Sequence, residues 1–239
     1  MPTPCYSILA CDVFSDELIE LGGNPPPWHT LEFLEMGLHD QPDRLRERIQ
    51  QSIRDLEKGN EVEAVVLAYG RCGNGLIGVR AERCPLILPQ AHDCISILLG
   101  GREAHDAQLK KNPGTYFYSP GWVRGKRVPG PDREAHLREL YGERFKDDED
   151  MIEELIEADE EAFEHHNCAA YVSVVERPAA AEYCRRCAAH MQWSHKTLPG
   201  DPSFLQDLLN GHWQTPRFLI IQPGQTIAAD ADGNLIAVD

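Results

Sequence analysis

Two short runs constrain this chain most. Ala64-Val65-Val66-Leu67-Ala68-Tyr69 and Pro85-Leu86-Ile87-Leu88 are apolar from end to end. Bounded apolar runs of this length read as buried strands. The first leads into Gly70-Arg71-Cys72-Gly73-Asn74-Gly75-Leu76-Ile77-Gly78. Glycines there free the backbone to turn sharply and to approach a ligand. The second ends at Pro89, with His92, Asp93 and Cys94 soon after. Each strand therefore delivers a thiol to its C-terminal end, where open α/β sheets build their sites.

The rest of the chain supplies support for that edge. Residues 6–10 form an apolar run with Cys11-Asp12 at its end. Ser15 can cap the next helix, with Leu18, Ile19 and Leu21 on its apolar side. Residues 31–34 read as a strand leading to Gly37-Leu38-His39-Asp40. Leu45, Ile49, Ile53 and Leu56 recur at helical spacing between residues 42 and 58. A helix is expected from Cys94 towards Lys110, then a strand at 115–118 and a Gly/Pro-rich loop at 125–131. Asp132 can cap a helical segment that contains the acidic stretch 146–164. A strand at 168–175, helices at 179–191 and 204–209, and a strand at 218–221 follow. The Asp232-Gly233-Asn234 turn joins two last runs in a hairpin. Strands alternating with helices give an α/β class with a mainly parallel sheet flanked by helices. The chain reads as a single α/β domain over 1–239. The loop near Pro129 marks two candidate Rossmann-like lobes, 1–128 and 129–239.

Charge narrows the partners. The 239 residues carry 39 acidic and 23 basic side chains, a formal charge of -16. Nucleic acid and anionic membrane surfaces need clustered Lys and Arg, so neither is an expected partner. No apolar stretch approaches the roughly 20 residues that span a bilayer. The start, Met1-Pro2-Thr3-Pro4-Cys5, lacks a basic region and an apolar signal core. The expected location is the cytosol, where the eight cysteines are thiols or metal ligands rather than disulfides.

Cys11, Cys72 and Cys94 stand at strand ends, and His39 and His92 stand at similar places, each followed by Asp. Thiolates and imidazoles suit zinc, mononuclear iron or an iron–sulfur cluster. The expected ligands are Cys11, Cys72, Cys94 and His92. Cys94 also opens a helix, whose positive end favours a thiolate. Asp93 would orient His92, and Asp93 and His39 are the candidate catalytic groups. Asn74, Gly73 and Gly75 would hold a substrate oxygen, and Trp122 would wall the pocket of a small-molecule substrate. The alternative is a metal-free enzyme with Cys94 or Cys72 as nucleophile and His92 as base.

Two other motifs carry less. Gly73-Asn74-Gly75-Leu76-Ile77-Gly78 has the letters of a dinucleotide fingerprint. That motif must open a long helix, and Val79 to Pro85 leaves little room for one. No helix is expected to start at Leu76, and no nicotinamide or flavin cofactor is expected. Cys184-Arg185-Arg186-Cys187 lies inside a helical run with no partner pair, so it reads as structural.

The chain resembles an uncharacterised bacterial and archaeal family, domain of unknown function 1638 (DUF1638). The resemblance rests on Leu9-Ala10-Cys11-Asp12-Val13-Phe14, Gly37-Leu38-His39-Asp40-Gln41-Pro42 and Tyr69-Gly70-Arg71-Cys72-Gly73-Asn74-Gly75. It continues through His92-Asp93-Cys94-Ile95, Leu98-Leu99-Gly100, Gly114-Thr115-Tyr116-Phe117 and Pro120-Gly121-Trp122. Gly200-Asp201, Leu209-Asn210-Gly211-His212-Trp213 and Pro223-Gly224 extend it towards the C-terminus. The acidic segment 147–161 is longer than the family pattern. The family carries no settled activity. Its members resemble companions of corrinoid-dependent methyl-transfer systems, which implies one-carbon metabolism. A metal-dependent transferase or hydrolase acting on a methylated small substrate is the expectation, with a corrinoid methyltransferase protein as a partner. A non-enzymatic accessory role in such a system is the other implication.

Overall fold

The computed structural model describes residues 5–59, 62–71, 74–146 and 148–239. In chain order it begins with β1 (Tyr6–Cys11), α1 (Ser15–Gly22), β2 (Leu31–Leu34), α2 (Pro42–Leu56), β3 (Ala64–Ala68) and β4 (Leu86–Pro89). Then come α3 (Cys94–Leu98), α4 (Arg102–Lys111), β5 (Thr115–Tyr118), α5 (Pro120–Arg124), α6 (Arg133–Phe145) and α7 (Glu149–Glu161). The chain closes with β6 (Cys168–Ser173), α8 (Pro178–His190), β7 (Ser194–Pro199), α9 (Ser203–Leu209), β8 (Phe218–Ile221), β9 (Thr226–Ala229) and β10 (Leu235–Val238). The class is α/β with mainly parallel sheets and a short antiparallel C-terminal hairpin. Among the described residues no helix is long and apolar enough to cross a membrane. The chain divides into two compact units, residues 1–105 with 200–239, and residues 106–199.

The first unit is built on a five-stranded sheet of order β2-β1-β3-β4-β8. Its first four strands run parallel, and β8 runs antiparallel to β4. The chain moves from β1 outward to β2 and then returns across β1 to β3. The strand order therefore reverses between β1 and β3, with Ala10 paired to Ala68 at that seam. Such a reversal opens a crevice at the strand C-termini.

Alternation along the strands sends side chains to two different helical layers. Leu9, Val65, Leu67, Leu86 and Leu88 pack with Leu45, Ile49 and Ile53 of α2 and with Ile227 and Leu235 of the hairpin. Burying each of those α2 side chains contributes about 2 kcal/mol of transfer free energy. Tyr6, Ile8 and Ala10 point to the other side. There the Tyr6 hydroxyl donates to the Leu209 carbonyl of α9, and its ring meets Trp213 edge-on at 5.4 Å. α1 and α3 pack on α9 in that layer.

The glycine-rich segment opens no helix, as its sequence predicts. Residues 74–79 make tight turns, with Ile77 N–H donating to Asn74 O at 3.0 Å and Val79 N–H to Leu76 O at 3.1 Å. The chain then pairs with β9. Gly78 N–H donates to Ile227 O and Ile227 N–H to Val79 O, both at 2.8 Å, and Arg80 bridges Thr226. A helix N-terminus for a pyrophosphate is not formed after these glycines.

Several elements differ from their sequence expectation. The helix from Cys94 breaks into α3 and α4 because Gly100 and Gly101 adopt φ of +88° and +142°. Asp201 packs so closely on Gly100 that a Cβ there would lie 2.5 Å from its carboxylate. The acidic segment likewise splits into α6 and α7, with Lys146 at φ +54° between them. Arg133 holds the pair together through two 2.5 Å hydrogen bonds to Asp159. Ile19, expected on the apolar side of α1, is 62% exposed.

The second unit carries a three-stranded parallel sheet, β5-β6-β7. Its edge strand β7, Ser194-His195-Lys196-Thr197-Leu198-Pro199, escapes sequence reading because it lacks the apolar run of a covered strand. Cys184, Cys187 and Ala188 of α8 pack with Tyr118, Val128, Ala169 and Tyr171. The loop at 125–131 belongs inside this unit. Val128 is buried there, and the Tyr118 hydroxyl donates to Pro129 O at 2.8 Å.

Candidate functional site

In the first unit, the loops leaving β3 and β4 are locked together at their roots. Arg71 N–H donates to Ala91 O at 3.0 Å. A Cβ on Gly70 would stand 2.7 Å from both Cα and C of Asp93. Only glycine lets these two backbones meet, and their meeting sets Arg71 beside His92.

The Arg71 guanidinium is clamped. Its Nε donates to Asn74 Oδ1 at 2.7 Å, and its Nη1 donates to Gly233 O at 2.9 Å. Asn74 reaches it from a left-handed backbone conformation, φ +72°. Asn74 therefore holds Arg71 in place. The Gln90 side chain donates to Leu235 O at 2.8 Å and ties the hairpin to the end of β4. Between these anchors lies an open hollow of about 290 Å³, walled by Arg71, Gln90, His92, Arg102 and the turn around Asp232 and Gly233. Two guanidinium groups face it against one carboxylate, so it favours an anion. Among the described residues, Nη2 of Arg71 has no hydrogen-bond acceptor.

Asp93 serves as the N-cap of α3 in a capping box. Its Oδ1 accepts from Ser96 N–H at 2.7 Å, while the Ser96 hydroxyl lies 3.2 Å from the Asp93 N–H. This pins the carboxylate. Its Oδ2 then lies 3.2 Å from His92 Nδ1 and 3.8 Å from His105 Nε2. His92 is 69% exposed and His105 13% exposed, so one imidazole faces solvent and the other supports from below. A carboxylate on Nδ1 selects the tautomer that leaves Nε2 able to take a proton. His105 carries no motif that sequence reading could use. Along an unbroken helix it would stand roughly 16 Å from Cys94. The Gly100-Gly101 break brings it back to Asp93.

The expected ligands are only partly placed. Cys11, half-buried, ends β1 and packs on the α2-side cluster. Cys94 is buried in the first turn of α3, the helix that packs on α9 in the opposite layer. The strands that precede these two thiols are two sheet spacings apart, roughly 10 Å. Cys72 and Gly73 lie outside the described residues. Among the described residues, no three His, Cys, Asp or Glu side chains are placed to hold a metal ion.

The other candidates sit elsewhere. His39 lies in a single 3-10 turn after β2, its Nδ1 on Met36 O and its Nε2 3.0 Å from Asp40. The end of β2 is three strand spacings from that of β4, roughly 14 Å, so His39 and Asp93 do not share one reacting atom. Gly75 is buried against Leu45, where a Cβ would lie 2.5 Å from a side-chain carbon. Its role is packing. Trp122 belongs to α5 in the second unit, half-buried against the cluster around Tyr118 and Cys184. Cys184 and Cys187 are fully buried, and burial pushes their thiols up to about 12 and about 11. Neither is a nucleophile at neutral pH.

Larger hollows flank α2, one of about 790 Å³ along Arg46, Arg54 and Arg80. Two of those guanidiniums are already paired, Arg46 with Asp43 and Arg54 with Glu82. That groove also lies along a helix flank, away from the strand ends.

A family model described as a protein of unknown function, DUF1638, matches residues 33–209. No curated protein and no solved structure matches the chain.

Proposed function

We propose that this chain, which belongs to the DUF1638 family of proteins of unknown function, is an enzyme that moves a proton on a small molecule at the C-terminal edge of its first-unit sheet. The observation that carries the reading is the Asp93 carboxylate, fixed by the α3 capping box and set 3.2 Å from His92 Nδ1 at the wall of the hollow. With Nδ1–H directed at Asp93, His92 Nε2 takes the proton. Asp93 then stabilises the imidazolium, and His105 holds Asp93 from behind. Arg71, rigid between Asn74 and Gly233, faces the negative charge that develops on the substrate. A positioned base of this kind contributes roughly 10²–10⁴-fold to a rate.

Nitrogen-detected NMR of the histidines, in alkaline solution where imidazole is neutral, tests this. His92 is expected as its Nδ1–H tautomer. Asp93→Ser keeps a helix cap but removes the carboxylate, and His92 should then lose that preference. An Nε2–H tautomer in the unaltered protein would refute the assignment.

A thiolate metal centre is a second reading, favoured by one specific placement. Cys11 ends β1 beside the seam where the strand order reverses, and β3 borders the same seam. Cys11 and Cys72, with Cys94 or His92, have the donor chemistry for zinc or iron. Metal analysis and a visible spectrum of untagged protein test it, with Cys72→Ser as the comparison. Stoichiometric metal that Cys72→Ser loses would support this reading, and metal that survives the substitution would end it.

A further inference from the structure

Resting on that reading of the site, we infer that the hollow takes a small monocarboxylate and rejects phosphate. Size comes first. A volume of about 290 Å³ equals roughly ten water molecules at about 30 Å³ each. It falls at the lower limit of ordinary ligand pockets, so the occupant has roughly ten non-hydrogen atoms or fewer.

Charge comes next. Arg71 uses Nε and one Nη1 hydrogen on the protein. Among the described residues, one hydrogen on Nη1 and two on Nη2 of this planar fork remain without an acceptor. Such donors match the two oxygens of a carboxylate. Arg102 adds a second positive charge from the first turn of α4, and Asp232 subtracts one. The balance suits a single negative charge and opposes the nearly double charge of a phosphate.

The loop geometry excludes phosphate by a separate route. In α/β sheets a phosphate sits on the N-terminus of the helix after a strand, held by its free N–H groups. After β3 no helix follows the glycines. After β4 the N-terminus of α3 is already filled by its own Asp93 carboxylate, 2.7 Å from Ser96 N–H. A phosphate brought there would face that carboxylate. The usual phosphate place is thus closed, and the hollow lined by Arg71 and Arg102 lies apart from it.

Isothermal titration of the full chain with acetate, glycolate, lactate and pyruvate, and separately with inorganic phosphate, tests this. At least one of the carboxylates is expected to bind saturably, and phosphate neither to bind nor to compete. Arg102→Gln should weaken that carboxylate roughly tenfold to a hundredfold, the worth of one charge-assisted hydrogen bond, with a melting curve recorded alongside to show that the variant is folded. Arg71→Lys should weaken it as well, although this residue also ties down the hairpin. Binding of none of the four carboxylates, tighter binding of phosphate, or unchanged affinity in Arg102→Gln would overturn the proposal. The tautomer of His92 is read without ligand. Carboxylate binding with the wrong tautomer would retain this inference and remove the acid–base reading, and the converse result would do the opposite.

Discussion

Gly70→Ala is the sharpest perturbation of the site that leaves every charged group in place. The added Cβ would lie 2.7 Å from Asp93 Cα and C, about 0.7 Å inside the 3.4 Å at which ordinary contact begins. Both neighbours are backbone atoms, so no side chain can swing away. The loop after β4 must shift, and the Arg71–Ala91 hydrogen bond of 3.0 Å shifts with it. Gly70 shows no left-handed φ, so backbone strain does not blur the reading and the cost is steric. Overpacking of this kind costs about 1–3 kcal/mol. For a chain of this size that lowers the melting temperature by roughly 2–12 °C. The same shift moves Asp93 and His92 relative to Arg71, so carboxylate affinity should fall by more than the lost stability alone would explain. Calorimetric melting and titration of the variant in the same buffer measure both. A Gly70→Ala protein that melts like the parent and binds the carboxylate equally well would refute the locked-loop account.

Other outcomes follow from buried groups away from the site. Burial pushes the thiols of Cys84 and Cys184 up to about 12 and that of Cys187 up to about 11, from the usual 9.0. The folded state holds these protons more tightly than the unfolded chain, so their contribution is complete below pH 9 and declines from there towards pH 12. Denaturant midpoints should be level in this respect at pH 7 and 8 and lower at pH 10.5; equal midpoints at pH 8 and 10.5 would contradict the burial. Arg133→Met should cost the α6–α7 pair about 2 kcal/mol in urea unfolding, because Asp159 loses both bonds while only 17% exposed. Adding Asp159→Asn should then cost little more, and full additivity would show that the pair is not coupled. Cys184→Ser and Cys187→Ser should leave metal content unchanged, as measured by elemental analysis, and a loss would place the metal in the second unit.

The fold was legible where burial dictates sequence. Residues 64–69 and 85–88 are covered on both faces by α2 with the hairpin and by α1, α3 and α9, and that cover requires unbroken apolar runs. Strand β7 was not legible, because an exposed edge imposes no such pattern on Ser194 to Thr197. Which residues stand at that sheet edge was legible in outline. His92, Asp93 and the glycine-rich loop do meet at one sheet edge, since strand ends can be read from apolar runs. Nothing in the sequence marks Arg71, because what fixes its guanidinium is Gly233, 162 residues away in sequence. His105 depends on two left-handed glycines, which a helical pattern passes over. His39 and Trp122 share only a strand-end position in sequence with His92 and Asp93. Sequence position does not encode strand order, and the order set β2 at the far edge and Trp122 in another unit.

The most direct measurement is amide chemical-shift mapping of the isotope-labelled protein as the tightest-binding of the four carboxylates is added. The account predicts that the largest shifts fall on Arg71, on Gln90 to Asp93, on Arg102 and on the turn from Asp232 to Leu235, with the histidine side-chain signals of His92 moving in step. Shifts concentrated instead on Arg46, Gln50, Arg54 and Arg80 along α2 would contradict it and move the site to that groove.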